Sequence, residues 1–251
     1  MMPLGKGKML FEAVFFVIAV LFFNAWELRR PRNHVDRKHG LALNIMSMLI
    51  VIFAGEMWKA LLVRGFDPIL PLMSSFVYIH ALPGTLKILM GIILTDFTLY
   101  WVHRSMHEIN LLWRTHKFHH SIYELWWLSG ARTSITHLFM FALPQTFIAY
   151  YLLALDPIEI SIAFSFGILI NIWVHTNIWV NLGALEWLFI TPNYHRVHHG
   201  AKGLSRRNLG FVFTVWDRIF GTYVDPRTIE KESPLGFVAT SKGLLRMVIG
   251  I

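Results

Sequence analysis

Long apolar stretches alternate with shorter basic segments along the 251-residue chain. Five stretches are almost wholly apolar, at residues 9–26, 41–63, 86–102, 134–155 and 158–174. A helix needs roughly 20 apolar residues to cross a bilayer, and each stretch is close to that length. The pattern therefore predicts an all-α integral membrane protein with four or five transmembrane helices, forming one domain over residues 1–251.

Residues 68–85 are also largely apolar, but Pro68, Pro71, Pro83 and Gly84 interrupt them. Prolines and glycines break helices, so this segment is expected to be a re-entrant or interfacial piece and not a sixth span.

The first apolar stretch follows two lysines, an arrangement that a signal peptide would share. No small-residue cleavage site follows Phe22 and Phe23, and a basic stretch at Arg29 and Arg30 comes directly after Trp26. We therefore expect an uncleaved membrane anchor.

Composition supports the membrane class and limits the chemistry. Hydrophobic residues make up 55% of the chain and charged residues 15%, and the mean hydropathy is +0.50. Soluble domains typically carry about 25% charged residues. Cysteine is absent, so a metal would have to be held by histidine or carboxylate. The net charge of +8 is explained by basic loops beside membrane spans, and no nucleic-acid partner is expected.

Basic residues concentrate in three segments: after the first stretch (Arg29, Arg30, Arg32, Arg37, Lys38), within 103–132 (Arg104, Arg114, Lys117) and beyond His175 (Arg196, Lys202, Arg206, Arg207, Arg218, Arg227). If the five stretches cross in turn, all three segments lie on one side. The positive-inside rule makes that side cytoplasmic, with the N-terminus outside and the C-terminus inside. A multi-pass protein of a bacterial inner membrane is the expected setting.

Candidate chemistry lies in the histidines, of which the chain has 13. An H-x-x-x-H pair is followed by two copies of H-x-x-H-H: His103 and His107, then His116, His119 and His120, then His195, His198 and His199. At helical spacing the rings of each motif can converge. Imidazole binds iron, zinc, copper and nickel, and eight such groups exceed what one ion can take. The spacing therefore predicts a site for two metal ions.

The histidines outside the three motifs differ in their expected roles. His175 ends the fifth apolar stretch, at the same predicted membrane face as the motifs, and is expected to be a ninth ligand. His137 opens the fourth stretch near that face, and its role as a ligand stays open. His34, His39 and His80 are interpreted as interfacial or hydrogen-bonded groups.

The third apolar stretch contains a carboxylate, Asp96. On a helix with about 100° per residue, Asp96, Tyr100, His103 and His107 fall on one stripe. An intramembrane carboxylate is costly and usually functional. Asp96 is expected either to orient a ligand histidine of another helix through a hydrogen bond or to have a purely structural role.

The order and context of the histidine motifs resemble the fatty acid hydroxylase and sterol desaturase superfamily. The resemblance covers about residues 85–225 and includes Asp96-Phe97-Thr98-Leu99-Tyr100-Trp101-Val102-His103-Arg104, Leu112-Trp113-Arg114-Thr115-His116, Thr191-Pro192-Asn193-Tyr194-His195-Arg196-Val197-His198-His199 and Trp216-Asp217-Arg218-Ile219-Phe220-Gly221-Thr222. Within the superfamily, His107-Glu108-Ile109-Asn110 and Trp173-Val174-His175-Thr176 look most like the alkylglycerol monooxygenase branch and its bacterial relatives.

The resemblance implies a non-haem di-iron centre that activates dioxygen at the cytoplasmic membrane face and oxidises a lipid. Two iron ions are the implied cofactors, although zinc can occupy the same imidazole ligands. The resemblance supports the eight motif histidines as ligands, with His175 as a ninth. It also suggests a catalytic role for Glu108, for which a solvated surface charge is the alternative. The segment 121–132 is less polar than in many relatives, which leaves the lipid open.

Two other functions are alternatives. A zinc-dependent membrane hydrolase would be expected to carry H-E-x-x-H, but after His107 and Glu108 the position of the second histidine holds Leu111. A metal transporter would place histidines at mid-membrane depth, whereas these lie at the ends of the stretches. The chain has no G-x-G-x-x-G fingerprint, so electrons are expected from a redox partner or a pterin.

Overall fold

The structure is a computed structural model that describes residues 6–201, 204–229, 234–237 and 241–251. The α-helices are α1 (Lys6–Arg29), α2 (Leu41–Phe66), α3 (Val77–His80), α4 (Gly84–Glu108), α5 (Asn110–His116), α6 (Ile135–Thr146), α7 (Pro157–His175), α8 (Pro192–His198), α9 (Val215–Ile219) and α10 (Ser241–Ile249). Within the described residues, β pairing is limited to the isolated bridges Phe189–Phe213 and Gly200–Leu235. The predicted all-α class is confirmed.

Five helical segments are long and apolar enough to cross a membrane: Phe11–Arg29, Leu41–Ile69, Gly84–Glu108, Ile135–Leu152 and Pro157–His175. They coincide with the five predicted stretches. The proline-containing segment Asp67–Phe76 is a 3-10 helix and adds no sixth span among the described residues.

Side-chain burial in these helices is the reverse of that in a soluble bundle. Large apolar side chains face outward: Ile18 is 61% exposed, Phe53 73% and Ile158 72%. Polar side chains such as Asn44 and Ser165 are buried. Apolar surface around a polar interior matches a lipid environment, because a polar side chain that faces the hydrocarbon of a bilayer is costly.

Helices α1 and α7 pack through a small apolar cluster in which Ala19 and Phe23 contact Ile172. At the end of α1, the buried carboxylate of Glu27 accepts hydrogen bonds from the backbone N–H groups of Trp127 and Asn177, each at 2.8 Å. These bonds join the ends of α1 and α7 to the segment before α6. Arg132, just before α6, also donates to the side-chain oxygen of Asn44 in α2 at 2.8 Å, so the ends of α1 and α7 and the starts of α2 and α6 share one membrane face.

Capping residues set the register of the helices that carry histidines. The side chain of Asp156 accepts from the N–H groups of Ile158 and Glu159 and, with Pro157 at the first position, starts α7. Thr191 caps α8 in the same way by accepting from the N–H of Tyr194. Helix α7 thus ends at His175, and α8 presents its histidines next to it.

Candidate metal centre

Nine buried histidines form two neighbouring groups at this membrane face. The first group contains His103, His107, His116, His120 and His198, and the second contains His119, His175, His195 and His199. Within each group, one ring nitrogen from every histidine lies within 4.8 Å of those of the others. These nine residues are those predicted as ligands, so the fold brings the full predicted set together.

Four elements supply the nine rings. His103 and His107 lie one turn apart at the end of α4, and His175 is the last residue of α7. The first H-x-x-H-H motif spans the end of α5 and the turn that follows, and the second occupies α8 and its C-cap. Because these elements are far apart in sequence, the two groups form only when the membrane helices are packed.

The structure corrects one expectation about the H-x-x-H-H motifs. Their three rings do not converge on one point: His116 and His120 belong to the first group, whereas His119 belongs to the second. In the other motif, the middle histidine, His198, belongs to the first group, whereas His195 and His199 belong to the second. Positions i and i+4 share a helix face, but i+3 and i+4 differ by about 100° in direction. Each motif therefore contributes to both groups.

Hydrogen bonds to the backbone define which nitrogen of several rings faces inward. The Nδ1 atoms of His103, His119 and His175 lie 2.8–2.9 Å from the carbonyl oxygens of Leu209, Arg132 and Asn171, and Nδ1 of His198 lies 3.0 Å from that of Arg207. A carbonyl oxygen only accepts, so Nδ1 carries the proton in each of these rings. In the neutral imidazole, Nε2 is then an unprotonated lone pair, the form that binds a metal.

These lone pairs face one another at short distance. Nε2 of His175 lies 3.4 Å from Nε2 of His119, and both rings carry their proton on Nδ1. Neither nitrogen can donate to the other, so the contact is repulsive unless a cation lies between them. In the first group, His103 and His198 also carry their proton on Nδ1, and their ring centroids are 4.5 Å apart. The donor set fits metal ions better than it fits hydrogen bonding.

Burial keeps the rings neutral. It lowers the pKa values of six of the histidines outside the membrane spans well below the ordinary value of 6.5, because a charged imidazolium would lose its hydration; neighbouring histidines lower them further. The six are His116, His119, His120, His195, His198 and His199.

Three ring nitrogens of the groups, Nε2 of His107 and Nδ1 of His195 and His199, are buried without a hydrogen-bond partner. Unpaired buried nitrogens are costly, and an ion can satisfy one that faces the centre.

One ring of the second group depends on a glycine. A Cβ atom at Gly130 would lie 2.6 Å from Nδ1 of His175, closer than atoms can approach. The carbonyl oxygen of Gly130 also accepts from the side-chain amide of Asn171 at 3.2 Å. Glycine at this position lets the segment before α6 pack directly against the His175 ring.

The remaining histidines lie outside both groups. His137 is buried, with its Nδ1 3.1 Å from Nδ1 of His116, so it holds a ring of the first group instead of joining it. His39 packs against Tyr123, and Nε2 of His80 lies 3.3 Å from the carbonyl oxygen of Tyr151. His34 is exposed.

Asp96 does not contact a histidine. Its carboxylate accepts from the backbone N–H groups of residues 211–213 at 2.7–3.2 Å and from Nε1 of Trp216 at 2.8 Å. Of the two roles expected for Asp96, this geometry matches the structural one, because four donors from residues 211–216 fill the carboxylate. Asp96 acts as an anchor between α4 and the loop whose Leu209 carbonyl holds His103.

Glu108 lies apart from both groups. Its side chain is half exposed and pairs with Nε of Arg104 at 2.8 Å along α4. This geometry matches the alternative of a solvated surface charge and gives no support to the predicted catalytic role.

Asp217 is a buried residue whose role the sequence did not indicate. Its carboxylate accepts from the N–H groups of Leu209 and Gly210 at 2.8 and 2.7 Å and from the hydroxyls of Thr222 and Tyr194. Together with Asp96 it fixes the loop that supplies the carbonyls for His103 and His198. Its position in Val215-Trp216-Asp217-Arg218-Ile219-Phe220, an acid among large apolar residues, was the available signal.

Comparisons with known proteins agree with this site. A family model described as fatty acid hydroxylase matches residues 88–222, a range that holds all nine grouped histidines. The chain is 36% identical over 144 residues to an alkylglycerol monooxygenase of Xenopus tropicalis, covering 56% of this chain and 30% of that protein. It is 35% identical over 206 residues to an ornithine lipid hydroxylase of Rhizobium tropici, covering 80% and 60%.

A lathosterol oxidase of Homo sapiens is 28% identical over 188 residues, covering 70% of this chain and 57% of that protein. The chain thus spans less than two thirds of the length of each of these relatives. No solved structure matches the chain significantly. The resemblance predicted from the histidine motifs is confirmed.

Proposed function

Since this chain belongs to the fatty acid hydroxylase family, we propose that it is a membrane-bound, non-haem di-iron oxygenase that hydroxylates or desaturates a lipid. The observation that carries the proposal is the pair of buried histidine groups, each of which contains two rings that carry their proton on Nδ1 and so keep Nε2 free to bind a metal. Two groups of nitrogen donors, with no cysteine in the chain, suit two first-row transition metal ions.

One ion is assigned to each group. His103, His107, His116, His120 and His198 would hold the first, and His119, His175, His195 and His199 the second. When bound, an iron pair supplies the activation of dioxygen and the cleavage of an unactivated C–H bond, which amino-acid side chains cannot perform. We favour iron over zinc because the relatives are named as monooxygenases, hydroxylases and oxidases, all redox activities.

The chain's own residues orient the donors and exclude water. The carbonyls of Leu209, Arg132 and Arg207 hold the Nδ1 protons of three rings and so keep Nε2 directed inward. All nine rings are less than 9% exposed, which keeps bulk water from the reacting centre.

A lipid substrate is proposed from the membrane setting and from the relatives, whose names refer to alkylglycerol, ornithine lipid and lathosterol. The class therefore includes fatty acyl, ether lipid and sterol substrates. The histidines lie at the ends of spans, so a lipid that enters sideways between helices can bring a carbon near them. Tyr123, Trp126 and Trp127 lie at this face, where aromatic side chains commonly anchor the interface.

The membrane face of the site is proposed to be cytoplasmic. The segments that join the spans on that side carry Arg30, Arg37, Lys38, Arg114 and Lys117, and further arginines follow α7. On that side the enzyme can meet its electron donor, which we propose to be a redox partner or a reduced pterin.

Oxygen-18 labelling tests the reaction. Membranes that contain the chain are incubated with ¹⁸O₂ and a reductant, and their lipid extracts are compared by mass spectrometry with extracts from membranes that contain His198→Ala. Hydroxylation predicts a lipid that carries one oxygen-18 atom only with the native chain, and desaturation predicts a lipid short of two hydrogens. Product formation that continues without oxygen would contradict an oxygenase and favour the hydrolase alternative.

A further inference from the structure

A basic cleft opens beside the metal centre, at the end of α1. It encloses about 590 Å³ and is lined by Arg30, Pro31, Arg32, Trp179, Arg227 and Ile229. Three guanidinium groups therefore face one volume, and the lining residues that the structure describes include no carboxylate. Such an excess of positive charge favours an anion.

The three arginines are held differently. The exposed side chain of Arg30 makes no hydrogen bond or ion pair within the described part of the chain. Arg32 lies over the ring of Trp179, at 4.5 Å from its centroid, and donates from one terminal nitrogen to the side-chain oxygen of Asn193 at 3.3 Å. Its Nε is buried without a partner. Arg227 pairs with Asp225, at 2.9 Å.

Asp225 neutralises Arg227, whereas no carboxylate of the described residues pairs with Arg30 or Arg32. Burial lowers the pKa of Arg32 to about 10. The buried, unpaired Nε of Arg32 sits in surroundings that disfavour its charge, a cost that a bound anion would offset.

The position of the cleft favours a lipid headgroup as the anion. The span in α1 ends at Arg29, so Arg30 and Arg32 follow directly at the depth of the lipid headgroups. Basic residues beside a span attract anionic lipids, and tryptophan prefers the same interfacial depth. Guanidinium groups bind phosphate oxygens in a bidentate way that fits their planar fork.

We propose that this cleft binds the phosphate group of an anionic membrane phospholipid, with Trp179 and Ile229 packed against the adjoining apolar part of the lipid. The site is distinct from the two histidine groups and needs neither metal nor oxygen chemistry, so it goes beyond the proposed function. It is nevertheless close to them: the N–H of Arg32 donates to the carbonyl oxygen of Asn177 at 2.8 Å, two residues after His175.

Native mass spectrometry of the full, metal-loaded chain in a neutral detergent tests the proposal. The chain is titrated with phosphatidylglycerol and, separately, with zwitterionic phosphatidylcholine. We expect phosphatidylglycerol to bind at least about tenfold more tightly, and inorganic phosphate in excess to compete with it. Arg30→Gln should weaken phosphatidylglycerol binding roughly fivefold, the usual effect of one basic residue near a membrane surface. Because the Arg30 side chain makes no internal bond, this variant should fold normally.

Two further variants make the result specific. Arg227→Gln should weaken binding as Arg30→Gln does. Arg64→Gln removes an equally exposed charge at the far end of α2 and should leave binding unchanged. Equal binding of the two lipids, or equal loss in Arg30→Gln and Arg64→Gln, would overturn the site. Inorganic phosphate that binds through Arg30 as tightly as phosphatidylglycerol does would overturn its assignment to a lipid.

Discussion

His119→Ala and His198→Ala are each expected to lose bound metal and to lower activity by at least ~100-fold. Removing a residue that only orients a ligand typically costs 10- to 100-fold, and a ligand itself should cost more. The two histidines belong to different groups, so each variant probes one proposed ion. Since both ions are needed for the reaction, activity should fall in both variants although only one group is damaged in each.

His34→Ala is the matched control, because His34 is an exposed histidine outside both groups. The measurements are metal per chain by plasma mass spectrometry and product formation from a lipid extract. Equal loss in all three variants would indicate general damage and refute the ligand assignment. Full metal content in His119→Ala would show that the four-histidine group does not bind a metal ion.

Asp217→Asn is expected to destabilise the protein by about 2–6 kcal/mol and to lower its metal content. The asparagine keeps the shape of the aspartate but turns an amide toward hydrogen-bond donors, so two of the four donors lose their acceptor at about 1–3 kcal/mol each. Each carboxylate oxygen accepts from one backbone N–H and one hydroxyl, those of Leu209 and Thr222 on Oδ1 and those of Gly210 and Tyr194 on Oδ2. The Leu209 carbonyl should then shift and loosen the His103 ring, which it holds at 2.8 Å.

Thermal unfolding in detergent, followed by metal analysis of the folded fraction, measures both effects. A drop in Tm of at least about 5 °C is expected for a chain of this size. Asp225→Asn is the control, since Asp225 pairs only with the exposed Arg227 and its loss should leave both quantities unchanged. A stable Asp217→Asn protein with full metal content would show that the loop does not depend on this carboxylate.

The spans and the nine grouped histidines could be predicted from the sequence because both follow local spacing. Apolar length predicts a membrane helix, and the H-x-x-x-H pair together with the two H-x-x-H-H motifs identifies eight grouped histidines without any tertiary information. His175 required one further step, the inference that the end of the fifth span shares a face with the motifs. The structure places it in the four-histidine group.

The division of the histidines between two groups could not be predicted, since it depends on how α8 and the turn after α5 approach each other. The same holds for the carbonyls of Leu209 and Arg207, because any residue type supplies a backbone carbonyl. The bond from Asp96 to a ligand histidine, one of its two expected roles, could not be judged from the sequence for a related reason. Periodicity placed Asp96 on the histidine face of α4 but carried no information about the loop at 211–213 that reaches it first.

Iron analysis of the active protein tests whether these nine histidines hold two iron ions. The chain is purified in detergent after expression with iron and with zinc supplied in turn, and metal per chain is measured alongside lipid oxidation. We expect activity to rise with iron content to a limit near two irons per chain, and the zinc-loaded protein to be inactive. An active chain that contains no iron would contradict it.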